Sequence, residues 1–328
     1  MKENLIGISM GDPSGVGPEI ILKSLEKLNP SDFLVIGDYS VLELMREKLK
    51  YEKYKINKIN NIDEFIDDLN TINILDMNLI DISNFEVGKV NANSGNAAFR
   101  YVVKAIELAK DGYIKAVVTA PINKEAMNLA GHKYAGHTEI FASYTDTKDY
   151  AMILSDEKLK VIHASTHVAL RDAIDNLRPE RINNVLELAY DFMKKIGVDR
   201  PKIAVAGINP HASENGMFGT EESNVIIPGI YSFLENKYDC EVIGPVPPDT
   251  VFLKAYKGEY DIVVAMYHDQ GHIPLKMLGF DTGVNVTAGL PIIRTSVDHG
   301  TAFDIAWKCI ADCTSMLSAI ELAKKMSK

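Results

Sequence analysis

The sequence predicts an α/β fold, built largely on parallel sheet, because short strands alternate with helices along the whole chain. Apolar runs of strand length recur at residues 33–38, 202–206 and 261–265 and are rich in β-branched side chains. Such runs are typical of strands buried on both faces of a parallel sheet. Longer segments at 96–110 and 179–196 carry apolar residues at helical spacing. This alternation favours β–α–β units.

The composition is that of a globular protein. The 328 residues are 46% hydrophobic and 24% charged, and are enough for one large domain or two. No apolar run approaches the roughly 18 residues of a membrane span, so we expect no membrane contact. The first residues lead straight into a strand, so we expect no signal peptide and a cytoplasmic location. The net charge of −10 argues against general nucleic-acid binding but allows a local basic pocket for an anionic metabolite.

The cysteines indicate no special chemistry. Cys240, Cys309 and Cys313 are odd in number and too few for a disulfide framework. Cys309 and Cys313 are spaced to share a helix face, but two thiols lack the partners of a zinc site. We therefore expect three buried apolar thiols.

Strands and helices of the first half are indicated by local signals. Pro18 suits the first turn of a helix that runs to residue 28, and Glu19 faces its positive end. Gly112 is a stop signal for the helix at 96–110. Residues 50–70 show weak periodicity and are expected at the periphery. The predicted strands are 5–10, 33–38, 72–75 and 116–119.

Residues 11–19 partly match the sequence pattern of a dinucleotide-binding turn. A strand, a Gly-x-Gly sequence at Gly15 and Gly17, a helix, a second strand and Asp38 occur in the expected order. The third glycine position is Ile20, however, and a proline-containing loop separates Gly15 from the strand. We therefore expect a tight turn that lines a cleft, without a Rossmann phosphate site.

In the second half, strands at 151–154 and 159–165 are expected to form a hairpin or to lie side by side. A helix at 179–196 ends at Gly197, and a short helix carries Lys276. The eleven-residue polar loop 209–219 is more typical of a functional loop than of a simple connection. The remaining predictions are strands at 202–206, 261–265 and 283–287, a turn entering a helix at 299–306, and a final helix at 314–325.

Three predicted strands each deliver a histidine just beyond their carboxyl ends: His167, His211 and His268. Ligands of α/β proteins bind beyond these ends. Three imidazoles around a divalent cation, with coordination positions left open, make a catalytic metal site. His163 would lie roughly 13 Å from His167 on a strand, at about 3.3 Å per residue, so only one of the two is a ligand. His163 is more typical of a core histidine.

Two further features have both a structural and a functional interpretation. His137 and Thr138 stand at a predicted helix start, either as a ligand-binding imidazole and hydroxyl or as an N-cap threonine beside a surface histidine. Asp249 either caps a helix or turns its carboxylate toward a cleft.

Cations and an amide accompany the histidines. Lys276 and Arg294 are close to them in sequence, as binding of an anionic substrate requires, although each is equally compatible with a solvated surface charge. Asn285 is a polar residue within a predicted strand and should therefore have a specific partner.

Five motifs in this order resemble the 4-hydroxythreonine-4-phosphate dehydrogenase family, over residues 5 to about 307. The motifs lie at residues 11–19, 136–139, 209–211, 267–271 and 294–301. The resemblance implies a fold similar to isocitrate and isopropylmalate dehydrogenases, with two α/β/α domains and the active site in the cleft between them. It implies a first, NAD-side domain of residues 1–125 plus 272–328, and a second of residues 126–271 with the metal ligands and the contacts of an obligate homodimer.

The resemblance also assigns roles to residues. The implied metal ligands are His167, His211 and His268, with one contributed by the neighbouring subunit. The implied substrate contacts are His137, Thr138, Lys276, Asn285 and Arg294. Segment 298–306 resembles the adenosine-binding loop of isopropylmalate dehydrogenases, so part of the NAD site is expected at His299, Gly300, Thr301 and Asp304. Lys276 and Asp249 are the two candidates for proton transfer.

Residues 120–124 and 213–218 depart from members of the family that serve vitamin B6 synthesis and are more similar to a paralogous branch. The expected reaction is oxidative decarboxylation of D-threonate or D-erythronate 4-phosphate to dihydroxyacetone phosphate and CO₂, with NAD and a divalent ion (Zn²⁺, Mg²⁺, Co²⁺ or Mn²⁺). The alternatives are oxidation of 4-hydroxy-L-threonine 4-phosphate for pyridoxal phosphate synthesis, a phosphometabolite sensor without turnover, and metal-dependent hydrolysis of a phosphate ester.

Overall fold

The chain divides into two compact units in a computed structural model that describes residues 4–278 and 282–328. The first unit is Met1–Thr147 with Leu290–Lys328, and the second is Lys148–Gly289. These limits differ from the predicted 1–125 plus 272–328 and 126–271. The reason is local packing, since the helix after residue 136 packs on a helix of the first unit and the strand before residue 289 pairs within the second.

The described elements alternate as the sequence predicts. The strands are β1 (Ile6–Ser9), β2 (Phe33–Gly37), β3 (Lys55–Ile59), β4 (Thr71–Asp76), β5 (Ala116–Thr119), β6 (Ala151–Ser155), β7 (Lys160–His163), β8 (Lys202–Ala206), β9 (Glu241–Val246), β10 (Ile262–Ala265), β11 (Val284–Ala288) and β12 (Ile293–Val297). The helices are α1 (Gly17–Glu26), α2 (Tyr39–Leu49), α3 (Ala92–Lys110), α4 (Lys124–Leu129), α5 (His137–Tyr144), α6 (Leu170–Asp175), α7 (Pro179–Lys195), α8 (Ile227–Glu235), α9 (Pro248–Tyr256), α10 (His268–Leu278) and α11 (Thr314–Met326). None of these helices is both long and apolar enough to cross a bilayer.

The first unit contains a wholly parallel sheet of order β3-β4-β2-β1-β5-β12. Every residue of β1, β2 and β5 is buried, as expected of strands covered on both faces. Pro18 and Glu19 occupy the first turn of α1 as predicted, and the side chain of Asn91 caps α3 by accepting the Ser94 amide at 2.8 Å. The carboxyl ends of β1 and β12 carry the segments that begin at residues 10 and 298.

The second unit contains a mixed sheet of order β11-β6-β7-β10-β8-β9. β6 pairs antiparallel with both β11 and β7, which confirms the predicted hairpin. β7, β10, β8 and β9 are parallel to one another, so their carboxyl ends meet at one edge. Two short segments precede α8: Pro210–Glu214, whose backbone is left-handed from His211 to Ser213, and a helical turn at Glu222–Ile226.

Two strands were missed because they lack a continuous apolar run. β3 lies within the segment predicted to be peripheral and β9 contains Pro245; most of their residues are partly or fully exposed. Both are edge strands, where one face and one row of backbone groups meet solvent.

The turn predicted within 299–306 is present, but the helix that it was predicted to enter is wrong. That segment forms turns, with left-handed backbone at Ala302 (φ 44°) and Trp307 (φ 61°). The prediction of three buried thiols is also wrong in part, since only Cys313 is buried and Cys240 and Cys309 are half-buried.

Candidate active site

The three predicted metal ligands follow three neighbouring strands of the second unit. β10 lies between β7 and β8 in the sheet. His167 lies in the loop after β7, His211 in the loop after β8, and His268 begins α10 after β10. The sheet order therefore places all three loops at one edge of this unit.

His167 and His268 line one pocket of about 400 Å³, together with Thr166, Leu170 and Tyr267. Their ring centroids are 5.9 Å apart. The structure thus brings together two of the three predicted ligands at a cavity large enough for a small ligand.

The ring of His268 is oriented by two neighbours. Its Nδ1 lies 2.6 Å from Oδ1 of Asp269; a carboxylate only accepts hydrogen bonds, so Nδ1 carries a proton, and in the neutral ring this leaves Nε2 with its lone pair. His272 stacks on His268, with centroids 3.6 Å apart, and donates from Nδ1 to the His268 carbonyl oxygen at 3.0 Å. An imidazole fixed in this tautomer by a carboxylate is the usual state of a metal-binding histidine.

The loop of His211 has an unusual backbone. His211, Ala212 and Ser213 have φ values of 54°, 52° and 73°, a left-handed conformation that is costly for non-glycine residues, and such strained residues cluster at functional sites. Glu222, which is 2% exposed, accepts the Ile208 and Asn209 amides at 2.8 Å and holds the base of this loop.

His211 does not join the other two histidines within one chain. Its ring lies near that of Phe218, with the ring centroids 6.2 Å apart. Over residues 4–278 and 282–328 of the single chain, no three His, Cys, Asp or Glu side chains form a group able to hold a metal.

His163 is a core histidine, as expected. It is fully buried, and Nδ1 donates to the Met152 carbonyl oxygen at 3.2 Å. Burial, reinforced by the neighbouring His272, lowers its pKa to about 3, so the ring is neutral at physiological pH.

A second group of predicted residues assembles in the first unit around Arg294 of β12. Arg294 is 2% exposed, donates to Oγ1 of Thr119 at 3.1 Å, and lies over the Phe141 ring at 5.7 Å. Burial lowers its pKa to about 9, opposed by the charge of Glu139. A buried guanidinium of this kind suits bidentate binding of a carboxylate or phosphate.

His137 belongs to the same group. The N-cap of α5 is Gly136, so the interpretation of Thr138 as a cap is wrong, and both His137 and Thr138 lie in the first turn. Burial, together with the positive charges of Arg294 and Lys124, holds the pKa of His137 well below its usual range. Its Nε2 is buried and has no hydrogen-bond partner among the described residues, so the hydrogen-bonding capacity of this nitrogen is unused within them.

The other predicted substrate and proton-transfer residues lie in the second unit. Asn285 of β11 has the expected specific partner, since Nδ2 contacts Sδ of Met152 at 3.0 Å. Lys276 is half-buried in the last turn of α10. Asp249 is exposed in the first turn of α9, whose N-cap is Pro247. The capping interpretation of Asp249 is therefore wrong.

The predicted NAD segment packs on the Gly11–Glu19 turn. Thr301 is buried and its carbonyl oxygen accepts the Val16 amide at 3.0 Å, while Trp307 Nε1 donates to the Pro13 carbonyl oxygen at 3.0 Å. A Cβ on Gly15 would lie 2.8 Å from the Thr301 carbonyl oxygen. Gly15 is therefore needed for contact with this loop.

The other three predicted NAD residues lie in the same segment. His299 and Asp304 are accessible at its surface, and Nδ1 of His299 donates to the Gly300 carbonyl oxygen at 2.9 Å. No atom lies within 4 Å of a Cβ placed on Gly300.

Asp38 does not act as the ribose acid of a Rossmann site. It is fully buried, and Oδ2 accepts the amides of Leu79 and Ile80 at 2.7 and 2.5 Å. The tight-turn interpretation of residues 11–19 is in accord with this arrangement.

Sequence reasoning placed Asp269 beside His268 at the end of a strand, where α/β proteins carry their chemistry, but missed Gln270 and His272, which stand in the same motif. Their adjacency to a predicted ligand was the available signal. Lys124 was also missed as a charge beside His137.

Comparisons with known proteins identify relatives that match this chain over its whole length. The family model of pyridoxal phosphate biosynthetic protein PdxA matches residues 29–323. D-threonate 4-phosphate dehydrogenase of Salmonella typhimurium (strain LT2) is 50% identical over 100% of both chains. A crystal structure of 4-hydroxythreonine-4-phosphate dehydrogenase from Klebsiella pneumoniae has a TM-score of 0.89 at 48% identity, covering 99% of this chain and 100% of that one. Isocitrate dehydrogenase from Methylococcus capsulatus, at 14% identity and a TM-score of 0.50, covering 98% of this chain and 84% of that one, shares the fold.

The named dehydrogenases, at about 50% identity over the full chain, identify the protein as an oxidoreductase that acts on a CH–OH group. The chain belongs to the PdxA family, and within it is a dehydrogenase of a hydroxy acid 4-phosphate.

Proposed function

We propose that the protein catalyses NAD- and divalent-metal-dependent oxidative decarboxylation of D-threonate or D-erythronate 4-phosphate to dihydroxyacetone phosphate and CO₂. The relatives named D-threonate 4-phosphate dehydrogenase support this substrate class. The structural observation that carries the proposal is the pairing of His167 and His268 at one pocket, with their rings 5.9 Å apart.

The donor set fits a divalent ion. His167, His268 and His211 would hold it, with one of the three imidazoles supplied by a second copy of the chain. The tautomer of His268, fixed by Asp269, supports a ligand role for Nε2. When bound, Zn²⁺, Mg²⁺, Co²⁺ or Mn²⁺ acts as a Lewis acid on the substrate oxygens, and NAD accepts a hydride.

The reaction balances without another reactant. The C3 hydroxyl loses a proton and C3 loses a hydride to NAD, which gives a 3-keto acid. The C1–C2 bond then breaks, CO₂ leaves, and C2 of the enolate takes up a proton. The net result is NADH, CO₂ and dihydroxyacetone phosphate.

The protein side chains bind and orient the acid. Arg294, His137 and Thr138 would bind one anionic end of the substrate, since the guanidinium is buried and the His137 imidazole is neutral and carries a buried Nε2. Lys276 and Asn285 would also contact the substrate. Lys276 and Asp249 are the candidates for moving the proton, and we place part of the NAD site at His299, Gly300, Thr301 and Asp304.

We also propose that the protein acts in the cytoplasm, as a homodimer whose active sites are formed by residues of both subunits. Large apolar side chains are exposed on the loop of His167, at the start of α6 and on α10, including Val168 (55%), Leu170 (56%), Ile273 (57%) and Met277 (82%). A second copy that covers these side chains would also bring its own histidine loops to the pocket.

A second candidate substrate is 4-hydroxy-L-threonine 4-phosphate. The Klebsiella pneumoniae structure, at 48% identity, carries the name of that activity. The two candidates differ at C2, which bears a hydroxyl in one and an amino group in the other, and share the oxidation at C3.

The test is NADH formation with each of the three acid phosphates, followed by absorbance at ~340 nm. Each assay is run with and without a chelator. We expect turnover to be fastest with D-threonate or D-erythronate 4-phosphate, to release dihydroxyacetone phosphate, and to stop when metal is removed. His167→Ala should abolish it, while the control His132→Ala, in the first unit, should not. Full metal-dependent turnover by His167→Ala would refute the ligand assignment, and faster turnover of the amino acid would favour the second candidate.

A further inference from the structure

One buried amide joins two of the histidine-bearing loops. Gln270 is 9% exposed in the first turn of α10. Its Oε1 accepts the Met266 amide at 2.7 Å, and its Nε2 donates to the Gly207 carbonyl oxygen at 2.7 Å. Met266 precedes His268, and Gly207 opens the loop that carries His211. The side chain therefore ties the segment after β10 to the segment after β8.

The loop that carries His167 is attached to the same residue, Met266. Oγ of Ser165 donates to the Met266 carbonyl oxygen at 3.0 Å, and the Ala164 amide donates to the Ala265 carbonyl oxygen at 2.8 Å. Ser165 stands just before His167. Met266 is thus held through its amide by Gln270 and through its carbonyl by Ser165.

The start of α10 is also packed tightly against β7. A Cβ on Gly271 would collide with Nε2 of His163. The first turn of α10 therefore has little freedom to move.

We propose that Gln270 is a positioning residue that sets the relative placement of the loops carrying His268, His211 and, through Met266 and Ser165, His167, and thereby sets the affinity of the metal site. The inference rests on the proposed function, in which these histidines hold a divalent ion. Gln270 itself touches neither metal nor substrate in this proposal. Outer residues that orient metal ligands typically change affinity by about 10- to 100-fold when they are replaced.

The chain offers a matched control. Asn73 of β4 is a fully buried amide in the first unit; its Nδ2 donates to the Ile66 carbonyl oxygen and its Oδ1 accepts the Ile66 amide, both at 2.9 Å. Asn73→Leu and Gln270→Met each replace a buried bridging amide by an apolar side chain of similar size. A general loss of packing should affect both variants alike.

The experiment titrates Co²⁺ into the metal-free full-length protein and records affinity and the visible Co²⁺ spectrum. We expect Gln270→Met to bind Co²⁺ about 10- to 100-fold more weakly with an altered spectrum, and Asn73→Leu to match the wild type in both. Ser165→Ala, which removes a single hydrogen bond, should show a smaller change in the same direction and provides the measurement if Gln270→Met is poorly folded.

The outcomes separate this inference from the proposed function. Wild-type affinity and spectrum in both Gln270→Met and Ser165→Ala would overturn the positioning role and leave the metal site intact. An equal loss in Asn73→Leu would show a general effect of instability and would also overturn it. A wild-type protein that binds no Co²⁺, or whose binding is unaffected by His167→Ala, would remove the proposed metal site and this inference with it.

Discussion

The imidazole of His272 lies flat on that of His268, with ring centroids 3.6 Å apart and ring planes 13° apart. Its Nδ1 also donates to the His268 carbonyl oxygen at 3.0 Å. One histidine therefore restrains both the ring and the backbone of a proposed metal ligand. Because α10 begins at His268, this contact lies within a single helical turn.

His272→Ala should weaken Co²⁺ or Zn²⁺ binding by about tenfold or more, because His268 loses the ring that limits its rotation. His272→Phe keeps a flat ring and should lose less. Calorimetric titration of the metal-free protein measures both. The control is His132→Ala, since His132 stacks on Phe99 at 3.8 Å in the first unit; metal affinity that falls equally in that variant would contradict the expectation.

Arg294→Lys should raise KM for the acid phosphate by about tenfold or more, which corresponds to a loss of ~1.4 kcal/mol of binding free energy, and should leave KM for NAD unchanged. The planar guanidinium binds Thr119 and lies over Phe141, which a flexible ammonium cannot reproduce. Initial rates with varied substrate and varied NAD separate the two constants. Arg100→Lys, at an exposed position of α3, is the control. An unchanged KM for the acid phosphate would exclude Arg294 from the substrate site.

Asp12→Asn should flatten the dependence of stability on pH. Burial raises the pKa of the Asp12 carboxyl from 3.8 to about 7, opposed by the Ser14 amide. Between these two pKa values the folded protein holds a proton that the unfolded chain has lost. The contribution of Asp12 to the free energy of unfolding therefore falls as pH rises from the lower value to the higher, by at most ~4 kcal/mol.

The measurement for Asp12 is the unfolding temperature from pH 4.5 to 8. The wild type should lose more stability than the variant over this range, because the amide has no proton to release there, while its oxygen still accepts the Ser14 amide seen at 2.9 Å. Parallel curves for the two proteins would show that the carboxyl does not titrate in this window.

Gly15→Ala should raise KM for NAD several-fold, with little change in KM for the acid phosphate. The added methyl would meet the Thr301 carbonyl oxygen at 2.8 Å and displace the proposed cofactor loop. Trp307→Phe, which removes the hydrogen bond to the Pro13 carbonyl oxygen, should have a weaker effect of the same kind.

Gly112→Ala is the control for Gly15→Ala. Gly112 has φ +75° and open space around it, so the substitution should cost stability, on the order of 1 kcal/mol, through backbone strain alone. Its KM for NAD should equal that of the wild type. A rise in both glycine variants would indicate that instability, not displacement of the loop, raises KM.

The elements that the sequence predicted well are those with a continuous local signal. β1, β2, β5 and β10 are buried apolar runs, and α3 and α7 have regular apolar spacing with stop signals, so their positions follow from a few neighbouring residues. β3 and β9 were missed because an edge strand needs no continuous apolar run. The turn at 299–306 was predicted to enter a helix but does not, because the backbone of this segment is fixed by contacts with residues 13–19, which are distant along the chain.

The sequence by itself determined the α/β class and the delivery of His167, His211 and His268 to the ends of three strands, because burial of a strand and its termination are local properties of the chain. Only the tertiary structure decided that β10 lies between β7 and β8, that His167 and His268 share a pocket, and that Gln270 joins loops 63 residues apart. Strand order and side-chain partners depend on packing between remote segments, and no local pattern specifies which segments become neighbours.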